Sequence, residues 1–332
     1  MISLGIIGTN WITEQFVRAA EETKAFSLTQ VYSRTEEKAA DFIADLGKKN
    51  IKISTSLEDF FDSKDFDAVY IASPNALHFS QAKLALEHGK NVIVEKPSTS
   101  TIREFTLLDN LASEKDLYFF EAARQIHEPI FKKIQSYVDE NRAELSGASL
   151  SYMKYSSRYD DYKAGKNPNI FNTKFSGGAL YDLGVYTVYD AVVLFGQPDD
   201  VCYDAEILES GIDGSGTLTL KYSDFDVNIL IGKTKNSYIQ SEIYFNKKTL
   251  LMNSAGDITH VQLADENKNI TTVPTTKSDN PMDSEAAEFA RIITENDKET
   301  YEKLLKYARI VNRILEQART SAGLVFEADK EK

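Results

Sequence analysis

Between Ile2 and Ala122 the chain repeats one unit: a short apolar run, a polar turn, then a stretch with apolar residues at helical spacing. The runs are Ile2–Ile7, Leu28–Val31, Ile51–Ile53, Ala68–Ala72, Asn91–Glu95 and Leu117–Ala122. Runs without alternation read as strands buried on both faces, which is the property of parallel sheets. Five strand–helix units in succession, joined by right-handed crossovers, predict a doubly wound parallel sheet.

Beyond Arg124 the period changes. A helix is expected near Glu128–Glu140, then an alternating strand Gly147–Tyr155, a polar aromatic loop Ser156–Phe175, and a helix Ala179–Phe195 stopped by Gly196 and Pro198. Segments Val201–Ile207, Gly216–Tyr222, Asp226–Gly232, Tyr238–Phe245 and Thr249–Asn253 alternate, as Val227, Ile229 and Ile231 do, and predict an antiparallel sheet. Helices near Asp283–Thr294 and Glu299–Ala322 close the chain, with Asp329–Lys332 expected to fray. The expected fold is α/β, with a doubly wound parallel domain over 1–122 and a second α/β domain with an open, mainly antiparallel sheet over 123–328. A length of 332 residues suits two domains.

A net charge of -13 argues against nucleic acid, whose phosphates need a basic surface. The single cysteine, Cys202, excludes an internal disulfide and reads as a core thiol; His78, His88, His127 and His260 show no ligand spacing, so no metal is expected. The N-terminus has no basic, then apolar, leader pattern, and no run reaches membrane-spanning length. The expectation is a cytoplasmic protein that binds no membrane.

In open α/β sheets ligands sit outside the carboxyl ends of the strands, so the residues just after each run are the candidate site. After the first run, Gly8, Thr9, Asn10, Trp11 and Ile12 turn into a helix whose free N–H groups and dipole suit a pyrophosphate. After the second, an acidic residue would hold a ribose hydroxyl, but Ser33 and Arg34 stand there, with Lys38 a turn later. A hydroxyl and a guanidinium suit a 2′-phosphate, which predicts NADP(H), with NAD(H) as the alternative. Ser73, Pro74 and Asn75 follow the fourth run, with His78 either touching the cofactor or packing locally. Glu95 and Lys96 follow the fifth. In the second half, Asp182 and Tyr186 are four apart and share a helix face across Gly184, as a proton-transfer set or as ordinary polar residues of a half-buried helix. Arg124 is a further candidate for the substrate, and Arg158, Lys163, Lys166 and Lys174 for an access path.

In order along the chain, the Gly-x-x-Gly-Thr turn ending at Thr9, Ser73-Pro74-Asn75 with His78, Glu87-His88-Gly89-Lys90 before Glu95-Lys96-Pro97, and Gly177-Gly178-Ala179-Leu180-x-Asp182-x-Gly184-x-Tyr186 resemble the Gfo/Idh/MocA oxidoreductase family. The resemblance covers essentially the whole chain. It implies an N-terminal Rossmann domain for the dinucleotide, and a C-terminal domain whose open sheet often joins subunits, here into a homo-oligomer, a dimer or tetramer. It makes Lys96 the lysine beside nicotinamide and substrate, and Asp182 the carboxylate of the substrate helix, which would orient a substrate hydroxyl or hold Lys96. Tyr186 stands where many members have histidine; a tyrosine there resembles the glucose-fructose oxidoreductase and dimeric dihydrodiol dehydrogenase branch, whose members commonly prefer NADP. Asn10 and Thr13 depart from the family's small residues.

The expected chemistry is hydride transfer between nicotinamide C4 and a carbinol or carbonyl carbon of a sugar, polyol or dihydrodiol. The proton is handled by Tyr186 or by Lys96. A free phenol titrates near pKa ~10, so ionised Tyr186 needs a cation nearby. The competing reading is a non-catalytic NADP-binding regulator on the same fold, which would have no need of Lys96, Asp182 and Tyr186 together.

Overall fold

The computed structural model describes residues 1–276 and 278–330; Lys277, Glu331 and Lys332 lie outside the described residues. The chain divides into two compact units, 1–124 with 278–306 and 125–277 with 307–332.

The first unit is built on six strands, β1 (Ile2–Ile7), β2 (Phe26–Tyr32), β3 (Lys52–Ser54), β4 (Ala68–Ile71), β5 (Asn91–Glu95) and β6 (Phe119–Ala122). They pair in parallel in the order β3-β2-β1-β4-β5-β6. The order reverses between β1 and β4, which creates the crevice at which doubly wound sheets bind ligands. The apolar runs are buried on both faces as expected, with Leu4, Ile6, Val69, Ile71, Val92 and Val94 inaccessible to solvent. Helix α1 (Trp11–Glu22) packs on this sheet through Phe16, whose ring stacks on Tyr70 at 3.8 Å.

A boundary read along the chain left residues 283–294 in the second domain. In the structure the helix Asp283–Glu295 belongs to the first unit: Phe289 stacks on Phe120 at 4.5 Å, and the Asn280 amide donates to the Gln15 carbonyl at 2.9 Å. Periodicity marks such a helix but says nothing about which core its face enters.

The second unit carries eight strands, β7 (Leu145–Met153), β8 (Asp200–Ile207), β9 (Asp213–Lys221), β10 (Asp226–Gly232), β11 (Ser241–Phe245), β12 (Lys248–Met252), β13 (Val261–Ala264) and β14 (Ile270–Thr272). Their order is β14-β13-β12-β11-β7-β10-β9-β8. The sheet is mixed rather than purely antiparallel, because β10 runs parallel to β7 at its centre. Strands β13 and β14 were not anticipated; at four and three residues they are too short to show a period. Alternation sends Ala148, Leu150, Leu218, Val227, Ile229 and Ile243 inward and leaves Thr217, Asn228 and Glu242 outward. The same alternation corrects the reading of Cys202, which lies on the outward parity of β8, an edge strand, and is exposed.

The stretch Thr173–Phe195 contains an 18-residue window apolar enough for a membrane span, contrary to the expectation that no run is, yet 78% of that window is buried inside the protein. Its α-helical part, Val185–Phe195, is a core helix of this unit. The end of the chain is also more ordered than expected. Arg319, 1% exposed, donates to both carboxylate oxygens of Asp329 at 2.7 Å and to the Tyr181 hydroxyl at 3.2 Å, so the turn Glu327–Lys330 is fastened. Of the segment expected to fray, Asp329 and Lys330 are thus placed, and Glu331 and Lys332 lie outside the described residues.

Candidate active site

In the first unit the candidate residues gather at the carboxyl ends of β1, β2, β4 and β5. Gly8 turns the chain with φ +108°, and a Cβ there would come within 2.8 Å of the Ala72 carbonyl, so glycine is what lets the turn after β1 pass this close to the end of β4. Asn10 is extended rather than left-handed, with φ -110°, and its side chain accepts from the N–H groups of Ile12 and Thr13 while donating to the Ala72 carbonyl at 3.0 Å. The asparagine that departs from the fingerprint thus caps α1 and ties two strand ends together. Trp11 N–H, at the first helical position, has no carbonyl a turn back to donate to, and the Trp11 side chain is 72% exposed beside it. A glycine-shaped cradle and a twelve-residue helix pointing its N-terminus outward fit a dinucleotide pyrophosphate.

At the end of β2, Ser33 is buried with its N–H on the Ser54 carbonyl, whereas Arg34 and Lys38 are exposed. Among the described residues neither cation has an ion-pair partner, and Thr35 heads helix α2 (Glu36–Asp45) without a side-chain cap. The guanidinium is therefore available to an anion.

Ser73, Pro74 and Asn75 follow β4, and the chain enters the next helix through a short 3-10 turn Asn75–Leu77. His78 is buried and its two ring nitrogens lie 2.9 Å from the Pro97 carbonyl and 2.8 Å from that of Ser73. Burial pulls its pKa below the usual value against the opposing pull of these two carbonyls, and the neutral ring, with one N–H, donates to one of them at a time between the loops after β4 and β5. Ser73 itself donates to Gln81 at 2.7 Å.

Glu95 and Lys96 are half-buried at the end of β5. Tyr70, on the neighbouring strand β4, donates its hydroxyl to Glu95 Oε1 at 2.6 Å. Burial raises the Glu95 pKa against the opposing pull of Lys96, Tyr70 and Arg124. Arg124 thus acts on this cluster within the first unit. Ser98, just beyond, donates to Glu121 on β6.

In the second unit Gly177 and Gly178 introduce the predicted helix, but its first turn, Leu180–Gly184, is π-helical and only Val185–Phe195 is α-helical. Single π turns are frequent at functional sites. Asp182 sits in that turn, and Tyr186 follows one turn later. Tyr186 is half-buried, edge-on to Tyr152 at 5.6 Å, and its backbone carbonyl accepts from the Gln125 amide at 3.3 Å. Gly256 passes so close that a Cβ there would meet the Tyr186 Cβ at 2.7 Å.

Asp182 pairs with Lys233, directly after β10, which the reading along the chain did not single out. The signal was present: Lys233 continues the inward parity of Val227, Ile229 and Ile231. The loop cations are less available than expected. Arg158 and Lys166 both pair with Asp161, and Lys163 pairs with Asp160, so charge is neutralised along that loop.

The model of the GFO/IDH/MocA oxidoreductase family, an NAD-binding Rossmann fold, matches residues 2–122, and that of the GFO/IDH/MocA C-terminal domain matches residues 151–250. The scyllo-inositol 2-dehydrogenase (NADP(+)) IolU of Bacillus subtilis is 37% identical over 331 residues, 99% of this chain and 100% of that protein. This chain belongs to the GFO/IDH/MocA oxidoreductase family. A trans-1,2-dihydrobenzene-1,2-diol dehydrogenase of Xenopus tropicalis is 27% identical over 224 residues, covering 66% of this chain and 65% of its own length. Among solved structures, the 3-ketoreductase KijD10 of Actinomadura kijaniata, in complex with NADP and TDP-benzene, superposes with a TM-score of 0.81 at 20% identity over 96% of this chain and 98% of that one. That likeness extends the family's fold to both units. No group of three or more possible metal ligands occurs among the described residues.

Proposed function

We propose that this GFO/IDH/MocA member is an NADP-dependent oxidoreductase that interconverts a carbinol and a carbonyl carbon of a polyol or sugar. The observation that carries it is the set of strand ends in the first unit: the Gly8 cradle after β1, the exposed guanidinium of Arg34 after β2, and the Lys96 ammonium after β5, all on one edge of one sheet. Two relatives agree with it: a scyllo-inositol 2-dehydrogenase (NADP(+)) and a trans-1,2-dihydrobenzene-1,2-diol dehydrogenase.

The bound dinucleotide supplies or accepts the hydride at its nicotinamide C4. The backbone from Gly8 to Ile12 holds the pyrophosphate, Ser33, Arg34 and Lys38 hold the 2′-phosphate, and Ser73, Pro74, Asn75 and Glu95 line the remainder. Lys96 donates a hydrogen bond to the substrate oxygen, where charge builds during transfer. Tyr186 gives or takes the hydroxyl proton, and Asp182 orients a substrate hydroxyl. Arg124 contributes positive charge toward the substrate. We further place the protein in the cytoplasm as a homo-oligomer formed through the outward face of the second sheet, a reading supported by the absence of a disulfide and by that face being open.

The test is spectrophotometric. NADPH formation is expected with at least one inositol or aldose from a panel, and NADPH consumption with the matching ketone. Trp11, the single tryptophan, adds a direct probe: NADPH binding beside it is expected to quench its emission in a saturable way. Saturable quenching with no turnover on any substrate would favour a regulator over an enzyme.

Arg34→Ala is expected to weaken NADPH binding by about tenfold to a hundredfold while leaving NADH binding within about threefold, because a charge-assisted pair with phosphate is worth roughly 1.5–3 kcal/mol. Titrating Trp11 emission with each cofactor reads this directly. Equal loss for both would move Arg34 from the 2′-phosphate to a structural role.

A further inference from the structure

Along β10 the inward side chains are Val227, Ile229 and Ile231, and the next position of that parity is Lys233. Its side chain is 4% exposed. An ammonium in such a place is costly unless it is paired. It donates to Asp182 Oδ2, and the face of Phe171 lies 5.9 Å from Nζ. Asp182 is different in kind, since its side chain remains 29% exposed. The pair is thus a buried cation holding a carboxylate that reaches the surface.

The segment that carries Asp182 is fastened independently of the lysine. A Cβ at Gly184 would meet Ile231 Cδ1 at 2.8 Å, which presses the π turn Leu180–Gly184 onto β10. At the other end, Leu180 N–H donates to Asp213 at 2.7 Å, and the Tyr203 hydroxyl donates to the same oxygen at 2.6 Å. The backbone of Lys233 is tied as well, its N–H on the Gly214 carbonyl and its carbonyl accepting from Ser156. With both backbones set by other contacts, what the ion pair adds is the direction of the Asp182 carboxylate. Buried ion pairs are also poor sources of net stability against apolar side chains of the same size, so stability alone does not account for a lysine on this inward row.

We propose that Lys233 is a positioning residue: it holds the Asp182 carboxylate in one orientation, from which Asp182 accepts a hydrogen bond from a hydroxyl next to the reacting carbinol. The substrate class this selects is a vicinal diol, as in a cyclic polyol or an aldose, over an isolated secondary alcohol. The inference rests on the proposed function, in which Asp182 faces the substrate.

The experiment uses the full chain, a polyol that the wild type oxidises, and the deoxy analogue in which hydrogen replaces the neighbouring hydroxyl. Lys233→Met is expected to raise KM for the polyol by about tenfold or more, to bring the kcat/KM ratio of polyol to deoxy analogue toward one, and to leave NADPH binding by Trp11 quenching unchanged. Lys233→Arg, which keeps the charge, is expected to restore the ratio to within about threefold of wild type. Wild-type KM and discrimination in Lys233→Met overturn the proposal, as does a fall in kcat with both retained. Should Lys233→Met not fold, Lys233→Gln is read in its place by the same criteria; failure of both to fold makes the lysine structural and also overturns it. Absence of turnover in the wild type itself would sink the proposed function and this inference together, whereas an active wild type with an indifferent Lys233 sinks the inference alone.

Discussion

Lys96→Met is expected to lower kcat about a thousandfold while leaving NADPH affinity within about threefold. The asymmetry follows from what the residue is asked to do. On the proposed reading the dinucleotide would be held by backbone groups of the Gly8–Ile12 turn and by the Arg34 cluster, neither of which involves Lys96. In that proposal the ammonium would be needed only as charge gathers on the substrate oxygen, and interactions confined to that stage appear in kcat. Lys96→Arg should recover part of the rate but not all of it, because a planar guanidinium does not reproduce a compact donor at the same point. The same substitution to Met removes the first of the influences that offset the burial of Glu95, so the Glu95 carboxyl is expected to become easier to protonate in Lys96→Met. Single-turnover rates with saturating cofactor separate the cases. Turnover near wild type would strip Lys96 of its role, and a large loss of NADPH affinity would make it a cofactor residue instead.

Asp190→Asn is expected to stabilise the protein above neutral pH, by up to roughly 4 kcal/mol. Asp190 lies one helical turn beyond Tyr186 and is 1% exposed, and neither of its oxygens makes a hydrogen bond of good geometry, although the Gln125 amide and the Gly256 N–H face it. Burial, aided by the neighbouring Glu128, lifts its pKa from 3.8 to about 7. Between those values the folded state holds a proton that the unfolded state has released. Stability from this group is therefore intact below about pH 4, falls as pH rises, and is fully lost above about pH 7. An amide in the same place does not titrate. Plotting Tm against pH for both proteins isolates the effect: the wild-type curve should fall away from that of Asp190→Asn as pH rises from about 4 to about 7, and parallel curves would show that Asp190 is ionised at little cost.

Most of the first unit was readable along the chain, since a strand buried on both faces needs an unbroken apolar run and a helix on its surface needs an amphipathic one. Both requirements act between near neighbours in the chain, so β1, β4 and β5 and the loops after them could be placed, and with them Gly8, Ser73 and Lys96. The helix bearing Asp182 and Tyr186 was visible for the same reason, as was the alternation of β10. What stayed hidden depended on partners far away in the chain. The π turn at Leu180–Gly184 packs on Ile231, on a strand well beyond it in the chain, and no local period announces it. Asn10 could be read as a cap for the helix that follows it, but its other hydrogen bond, to the Ala72 carbonyl at the end of a distant strand, could not.

The amino-acid sequence by itself determined the two architectures, the edge of the parallel sheet where a dinucleotide turn would lie, and the residue types available there. Only the tertiary structure decided that the helix Asp283–Glu295 completes the first unit, that Arg319 fastens the chain's end through Asp329, and that the partner of Asp182 within its unit is Lys233. The reason is physical: burial pattern is written in the spacing of neighbours, whereas an ion pair is chosen by whatever the fold brings within reach.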